Sequence, residues 1–271
     1  MPDFCLYLPH YLSKKMGSAG EISLKRELLI RAMSLDLTLP SNVGRGRSLK
    51  SLVLAKIAGT SAPLTGRKIL SHISFELLVG DSLSIIGKNG SGKSSLLRVL
   101  SGIFTPSSGL IDGKPTIVPL IELEGAFNGE LTVSENITLL LIILGVPQER
   151  FDFIADSVLD FSELKEFASQ QMRTLSTGMK ARFAFALATS VPSDLILVDE
   201  SLSVGDIAFS QKASSRITEL QNQGKSIILV THDLRLANKF TSKCLWLDEG
   251  KVVMYGNTKN VVKQYRKSLQ H

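Results

Sequence analysis

Eight residues, about a third of the way along the chain, constrain its fold more than any other segment. Gly87–Ser94 reads Gly-Lys-Asn-Gly-Ser-Gly-Lys-Ser and matches the pattern G-x-x-x-x-G-K-[ST]. The apolar run Ser82–Ile86, typical of a buried strand, precedes it, and the helical run Ser95–Ile103 follows it. This order of strand, glycine-rich loop and helix predicts an α/β fold whose loop binds a phosphate group.

The residue types of this loop suit a nucleotide phosphate chain. Its glycines let successive backbone N–H groups point inward at an anion, and the next helix presents its positive end. Lys93 is predicted to reach the β- and γ-phosphates as a catalytic cation, and the Ser94 hydroxyl to ligate Mg²⁺. The predicted nucleotide-binding residues here are Gly87, Lys88, Asn89, Gly90, Ser91, Gly92, Lys93, Ser94 and Ser95.

Polar side chains follow two further apolar runs. Asp199 and Glu200 come directly after Leu195–Val198, and His232 comes two residues after Ser226–Val230. Ligands of open α/β sheets bind at the carboxyl ends of the strands, so we expect these side chains near the phosphate loop. Asp199 is predicted to hold Mg²⁺ through water, Glu200 to polarise the attacking water, and His232 to contact the γ-phosphate. Taken alone, each also fits a purely structural role.

Strand and helix patterns occupy different parts of the chain. Short runs rich in β-branched residues or leucine predict a mostly parallel central sheet: Ser82–Ile86, Leu195–Val198, Ser226–Val230 and Cys244–Leu247. Alternating apolar residues over Leu29–Leu39, at odd positions, predict a further half-buried strand, followed by a loop over Ser41–Arg67. Helical patterns dominate between about 132 and 189: Val133–Leu144, Gln148–Leu159, Ser162–Ala168 and a segment after Ser176. We therefore expect a helical subdomain inserted in the sheet domain.

Composition bounds the class of protein. With 271 residues and 44% hydrophobic residues, the chain can bury a large core. Its only cysteines, Cys5 and Cys244, do not indicate a disulfide scaffold and favour a reducing, intracellular compartment. The most apolar stretch, Ile137–Val146, is about half the length of a membrane span. Residues 1–26 show no sustained periodicity and are predicted to be a tail or a partner-binding arm, and the net charge of +6 identifies no partner by itself.

One further segment indicates the protein family in which these motifs occur together. Leu175–Arg182 reads Leu-Ser-Thr-Gly-Met-Lys-Ala-Arg and predicts a helix start capped by Ser176. In order with the phosphate loop, the two carboxylates and the histidine, it resembles the signature motif of ABC-transporter ATP-binding domains. The resemblance runs from about residue 29 to 264, and residues 27–271 are predicted to form that domain. It implies that two copies pack head to tail, with Ser176 and Gly178 of one binding the ATP held by the other.

Finer features resemble the ATPase subunits that export capsule, O-antigen or teichoic-acid polysaccharides. They are the Ser-x-Gly-Met form of the signature, the Gly205-Asp206 pair, and the Gly-Ala-Phe…Leu-Thr-Val-x-Glu-Asn pattern within Leu123–Asn136. The resemblance makes Asp206 a further nucleotide-site residue. Because about forty residues follow His232, we expect the short type, without the C-terminal glycan-binding domain of some relatives.

Two departures from the family's pattern concern nucleotide contacts. The family's nucleotide-sensing glutamine has no counterpart, and Glu122 or Glu124 lies near that position; we assign Glu122 to the site. The aromatic residue that stacks on adenine is also missing, since no Phe, Tyr or Trp occurs between Tyr11 and Phe75. An aliphatic side chain of Leu35–Leu39 is predicted to take its place.

The resemblance implies an ATPase, using ATP and Mg²⁺, that energises export of a lipid-linked polysaccharide. It implies a homodimer at the cytoplasmic face of the cytoplasmic (inner) membrane, bound peripherally to a separate, dimeric permease that contacts most of the cargo, and no nucleic-acid partner. Alternatives are a lipid or drug as cargo, a soluble ABC ATPase acting on ribosomes or DNA, and a regulatory module without hydrolysis. A single phosphate loop and the lack of heptads disfavour the second alternative.

Two segments each fit two structural interpretations. Ile137–Leu144 fits either the core of the helical block or, in part, a groove for a helix of the permease. A basic group near the C-terminus fits either a solvated helix face or contact with anionic lipid: Lys259, Lys263, Arg266 and Lys267.

Overall fold

A computed structural model describes residues 26–40, 66–199 and 207–270. The predicted tail and most of the predicted loop Ser41–Arg67 lie outside these ranges, and so do Glu200 and Asp206. The strands are β1 (Leu28–Pro40), β2 (Gly66–Leu78), β3 (Ser82–Ile86), β4 (Ser108–Asp112), β5 (Ile117–Pro119), β6 (Leu195–Val198), β7 (Ser226–Val230), β8 (Lys243–Asp248) and β9 (Lys251–Asn257). The helices are α1 (Lys93–Leu100), α2 (Leu120–Leu123), α3 (Val133–Ile143), α4 (Phe151–Ser162), α5 (Thr177–Ser190), α6 (Ile207–Asn222), α7 (Leu234–Phe240) and α8 (Thr258–Ser268).

The larger sheet has six strands in the order β5-β6-β7-β3-β8-β9. Its first five strands are parallel, and β9 pairs antiparallel with β8. Every residue of β3, β6 and β7 is buried, including the serines of β3 and β7, as these predominantly apolar sequences predict for strands covered on both faces. The mostly parallel central sheet is confirmed, whereas β2, β4, β5 and β9 escaped prediction.

A second, antiparallel sheet has the order β2-β1-β4 and supplies the antiparallel part of the predicted fold. The alternation within β1 changes at Ser34, whose φ of 46° accompanies a shift in the pairing of β1 with β2. Leu35 and Leu37 after the shift are buried as predicted, but Met33 before it is 36% exposed. The expectation that the odd positions share one buried face was therefore wrong at Met33. The bulge at Ser34 changes which alternate positions face the core, from even before it to odd after it.

The stretch 133–190 is built from helices whose apolar side chains, Ile137, Leu140, Val158 and Phe183 among them, share one core with strands β6 and β7 and helix α6. The predicted helices over Val133–Leu144, Gln148–Leu159 and the segment after Ser176 correspond to α3, α4 and α5, with a 3₁₀ turn at Gln148–Arg150.

The predicted helix Ser162–Ala168 was wrong. The residue after α4, Glu163, adopts φ 62°, a left-handed conformation that ends the helix. Only a 3₁₀ turn, Lys165–Phe167, follows.

No helix within the described ranges combines the length and the apolar character that crossing a membrane requires. The apolar stretch of α3 divides instead between two environments. Ile137, Leu140 and Leu141 are fully buried, while Ile142 and Ile143 are 61% and 63% exposed. The core interpretation is thus confirmed for the inner face of this segment, while the groove for a permease helix stays a prediction for its exposed face.

Candidate functional site

The phosphate loop leaves the carboxyl end of β3 and enters α1, as its sequence predicts. Gly87 has φ 151°, and a Cβ built there would lie 2.1 Å from the Leu247 carbonyl oxygen of β8. Gly92 caps α1 with φ 103°, and a Cβ there would lie 2.8 Å from Leu70. Only glycine fits both positions, because the backbone of the loop runs against two neighbouring strands.

Polar groups inside the loop suit an anionic ligand. The Lys93 side chain is 6% exposed, and its Nζ donates to the carbonyl oxygens of Gly87 and Lys88, each at 3.0 Å. Ser91 Oγ is buried and has no hydrogen-bond partner within the described residues. The first turn of α1 contains no acidic residue, so nothing there offsets its positive end. The loop therefore fits a phosphate chain in shape and in charge.

A turn that sequence reasoning missed supports this loop from outside. Glu249 and Gly250 connect β8 to β9 with φ of 44° and 74°, the signs of a type I′ hairpin turn. Gly250 N donates to Ser91 O at 3.0 Å, and Ser71 N of β2 donates to Gly250 O at 2.8 Å. The turn thus ties the phosphate loop to the antiparallel sheet. The Glu-Gly pair between two apolar runs is the signal that could have revealed it.

The topology brings other predicted residues to the edge of the sheet where the phosphate loop lies. Strands β6, β7 and β3 are adjacent and parallel, so their carboxyl ends share one edge. Asp199 follows β6 there, and His232 follows β7, separated from it by the buried Thr231. Adjacent strands are about 4.8 Å apart, which places both residues within reach of one extended ligand.

The residue after His232 fixes the start of α7. Asp233 caps this helix, its Oδ1 accepting from Arg235 N at 2.7 Å. The Arg235 side chain, which also donates to both carboxylate oxygens, lowers the pKa of Asp233. Asp233 is therefore a capping carboxylate, and it fixes the backbone immediately after His232.

The predicted signature segment begins α5. Ser176 caps this helix as predicted, its Oγ accepting from Met179 N at 3.2 Å. Farther along, Arg182 pairs with Glu163 at 3.1 Å and stacks over the Phe209 ring of α6. Lys212 of α6 also pairs with Glu163. The helix that carries Ser176 and Gly178 is therefore packed through its buried apolar residues, with charged contacts to α6 and Glu163 at its surface.

A second residue without a predicted role holds the loop before α3. Asn136 is fully buried, and its Nδ2 donates to the carbonyl oxygens of Asn128, Leu131 and Thr132. Its Oδ1 accepts from Asn128 N at 2.8 Å. Thr132 caps α3 in a capping box with Glu135. The Leu-Thr-Val-x-Glu-Asn pattern therefore encodes a fixed loop, because each polar residue of it satisfies backbone groups.

The structure corrects part of the prediction about which side chains contact the nucleotide base. Leu35 and Leu37 are 0% and 2% exposed within the core beneath β2, so neither can offer a face to adenine. Leu39, which is half-buried, is the remaining leucine of the predicted group. Glu122 lies in α2, which begins after β5 at the same sheet edge as Asp199, and its place in the nucleotide site stays a prediction.

Comparison with known proteins agrees with the geometry. The family model described as ABC transporter matches residues 70–203. The O-antigen export system ATP-binding protein RfbB of Klebsiella pneumoniae is 31% identical over 208 residues, covering 76% of this chain and 85% of that protein. The chain belongs to the ABC transporter family.

Other members of the ABC transporter family are more similar but longer. The teichoic acids export ATP-binding protein TagH of Bacillus anthracis is 37% identical over 201 residues, which are 74% of this chain and 36% of that protein. RfbB of Myxococcus xanthus is 38% identical over 200 residues, 46% of its length. The chain thus spans between a third and a half of the length of these relatives.

Solved structures of ABC transporter subunits share the fold. An ATP-binding subunit of an ABC transporter superposes with a TM-score of 0.70 at 20% identity, over 88% of this chain and 93% of that one. A dimeric ATP-binding cassette, in a post-hydrolysis state with ADP and phosphate, gives 0.68 at 22% identity over 85% and 99%. The α/β fold predicted from the resemblance, with its mixed sheet and helices, is confirmed.

Proposed function

We propose that this chain is the ATP-hydrolysing subunit of an ABC exporter that drives a lipid-linked polysaccharide across the cytoplasmic membrane through a separate permease. The observation that carries the proposal is the phosphate loop, in which Lys93 lies across a glycine cradle with the buried Ser91 hydroxyl. The names of the relatives, teichoic acid and O-antigen export proteins, support the cargo.

The residues have distinct roles in this proposal. The loop Gly87–Ser95 binds the phosphates, and Lys93 withdraws charge from the γ-phosphate as the bond to it breaks. Ser94 would ligate Mg²⁺ directly and Asp199 would hold it through water, and the ion would neutralise phosphate charge when bound. Glu200 orients and polarises the attacking water, and His232 contacts the γ-phosphate.

The proposed working unit is a homodimer. Ser176 and Gly178 of one copy face the phosphate loop of the other, with Asp206 and Glu122 completing the site. The dimeric cassettes among the structural neighbours support this arrangement. Nucleotide binding then closes the dimer and hydrolysis reopens it, which provides the motion that an exporter needs.

The permease is proposed to dock on the helical stretch 133–190, at the membrane's cytoplasmic face. Three large apolar side chains stand exposed there: Ile142 and Ile143 at the end of α3, and Phe153, 74% exposed, in α4. Apolar residues exposed close together are more typical of an interface than of a solvated helix. We also propose the division into a tail, residues 1–26, and an ATP-binding domain, residues 27–271.

Paired variants test the ATPase part. Lys93→Ala is expected to abolish ATP binding in calorimetric titration, while Lys114→Ala, at an exposed position away from the loop, leaves binding unchanged. Glu200→Gln is expected to keep binding, stop turnover and trap a dimer in size-exclusion chromatography with ATP. Glu149→Gln, on the surface, is its control. Parental turnover by Glu200→Gln would remove Glu200 from its role.

The cargo is tested in the source cell. Glu200→Gln is expected to cause lipid-linked glycan to accumulate inside, and the protein to co-sediment with a permease. A normal surface polysaccharide alongside a dead ATPase would contradict polysaccharide export and favour a lipid or drug as cargo.

A further inference from the structure

The structure assigns a second anion-binding site to this chain: a basic groove between α7 and α8 that fits a ligand bearing phosphate groups. The groove is wide and open to solvent, with a volume of about 480 Å³. Its walls carry four cations, together with Asn238 and Gln270: Lys259, Lys263, Arg266 and Lys267. None of these residues belongs to the phosphate loop or to the other predicted nucleotide contacts, so the site is separate.

Charge in the groove has one sign. Helix α8 contains four cations and no acidic residue, and α7 on the opposite wall contains no acidic residue either. Within the described residues none of the four cations forms an ion pair with a carboxylate. A surface of mixed charges is the ordinary arrangement for a solvated helix, so an uncompensated groove indicates an anionic partner.

The spacing of the lysines works against the helix itself. Lys259, Lys263 and Lys267 are four residues apart, which stacks like charges on successive turns. Lys259 also lies in the first turn, where the helix dipole disfavours a cation. Only Arg266 and Lys267, in the last turn, are favoured by the dipole. A bound anion offsets this repulsion. Anion binding therefore explains this series of three lysines, the lysine ladder, whereas helix stability does not.

The opposite face of α8 holds the ladder in place. Val261 and Tyr265 are buried, as is Val262, which also borders the groove, and Tyr265 packs edge-on against Trp246 with ring centroids 5.3 Å apart. Thr258 is buried and its hydroxyl lies 3.2 Å from that of Thr241, at the end of α7. The helix is therefore anchored, and the cations extend over about 12 Å along it. This length matches a ligand with several anionic groups better than a single ion.

Two sources can supply such phosphate groups, a phospholipid headgroup in a bilayer or a soluble phosphate compound. The test compares the parent with the groove variant Lys259→Gln/Lys263→Gln/Lys267→Gln. A control variant, Lys114→Gln/Lys165→Gln/Lys251→Gln, removes the same charge from exposed positions elsewhere. One arm measures flotation with vesicles of phosphatidylglycerol and phosphatidylcholine, against phosphatidylcholine alone. The other titrates inorganic pyrophosphate and follows the fluorescence of Trp246, the one tryptophan of the chain.

Each lysine is expected to contribute about fivefold in affinity for an anionic surface, so the groove variant should bind on the order of 100-fold more weakly. The control variant should bind like the parent, and added salt should weaken both. Loss confined to the vesicle arm identifies the headgroup, and loss confined to the pyrophosphate arm identifies a soluble phosphate. Pyrophosphate binding at the phosphate loop should be equal in the parent, the groove variant and the control variant, so it does not change the differences in affinity between them.

A conservative variant separates charge from structure. Lys259→Arg/Lys263→Arg/Lys267→Arg keeps the cations and should bind like the parent. The ATPase rate should be the same in all variants, because the groove shares no residue with the phosphate loop. The groove variant should melt no earlier than the parent, because it loses the like-charge repulsion along α8. Equal binding by the groove and control variants in both arms, or no binding of either probe by the parent, overturns the second site and leaves the proposed ATPase untouched.

Discussion

The strands around the phosphate loop and the helices of residues 133–190 are held in place by different kinds of contact. The loop emerges from β3, which lies between β7 and β8, and every residue of β3 and β7 is buried. The helical stretch shares an apolar core with β6, β7 and α6, and polar side chains add further contacts at its loops and surface. Asn136 holds one loop, and Glu163 joins Arg182 to Lys212. Close backbone contact therefore limits substitution in the first region, whereas in the second the polar contacts of single residues add to the shared apolar core.

The largest effect is expected from breaking steric fit at the phosphate loop. Gly87→Ala places a Cβ 2.1 Å from Leu247 O, so the loop or β8 must shift, at a cost of about 3 kcal/mol or more in the free energy of unfolding. Gly90→Ala has φ 78° but no heavy atom of the described chain within 4 Å, and should cost about 1 kcal/mol. Urea denaturation measures both. Equal losses at the two glycines would show that backbone strain alone, without the neighbouring strand, sets the cost.

A smaller effect is expected from removing the polar contact that holds the helical stretch. Asn136→Ala leaves carbonyl oxygens of Asn128, Leu131 and Thr132 without their donor, a loss of about 2 kcal/mol. Hydrogen exchange should rise over 128–136 while β3 and β7 stay protected. Asn260→Ala, on the exposed face of α8, should change stability by less than about 0.5 kcal/mol. Exchange that rose equally in β3 would contradict the separation of the two regions.

The smallest effect is expected from a polar contact within the strand region. Asp36 accepts from His72 N, Lys68 Nζ and Ser108 Oγ at 2.9 to 3.1 Å, and these bonds, that of His72 first, lower its pKa to about 2. Because the folded pKa lies below the unfolded one, the stabilisation is present above about pH 4 and is lost as the pH falls toward 2.

Asp36→Asn should therefore reduce the pH dependence of the unfolding free energy between pH 4 and 2, and should lower stability at pH 7 less than Asn136→Ala does. Chemical denaturation across that range checks both statements. A loss at pH 7 larger than that of Asn136→Ala would mean that polar contacts matter as much among the strands as among the helices.

The same contrast explains what the sequence could predict. Buried strands and the phosphate loop show themselves in short local patterns, so Ser82–Ile86, Leu195–Val198 and Ser226–Val230 were predicted to the residue. The turn of Glu163 and the bulge at Ser34 depend on left-handed backbone at residues that carry no special signal for it, and both were missed. Leu35 and Leu37 were misassigned to adenine because their burial depends on β2, which no local pattern revealed.

The turn at Glu249-Gly250 has a consequence for protein engineering. A two-residue hairpin tip is ordinarily a place where a tag, a reporter domain or new chain ends are tolerated. Here Gly250 is buried, and its N–H and C=O join the phosphate loop to β2. An insertion at this tip would separate the phosphate loop from β2, and no other hairpin turn within the described chain connects the two in this way. A fusion partner is better placed at the exposed turn of Gly224.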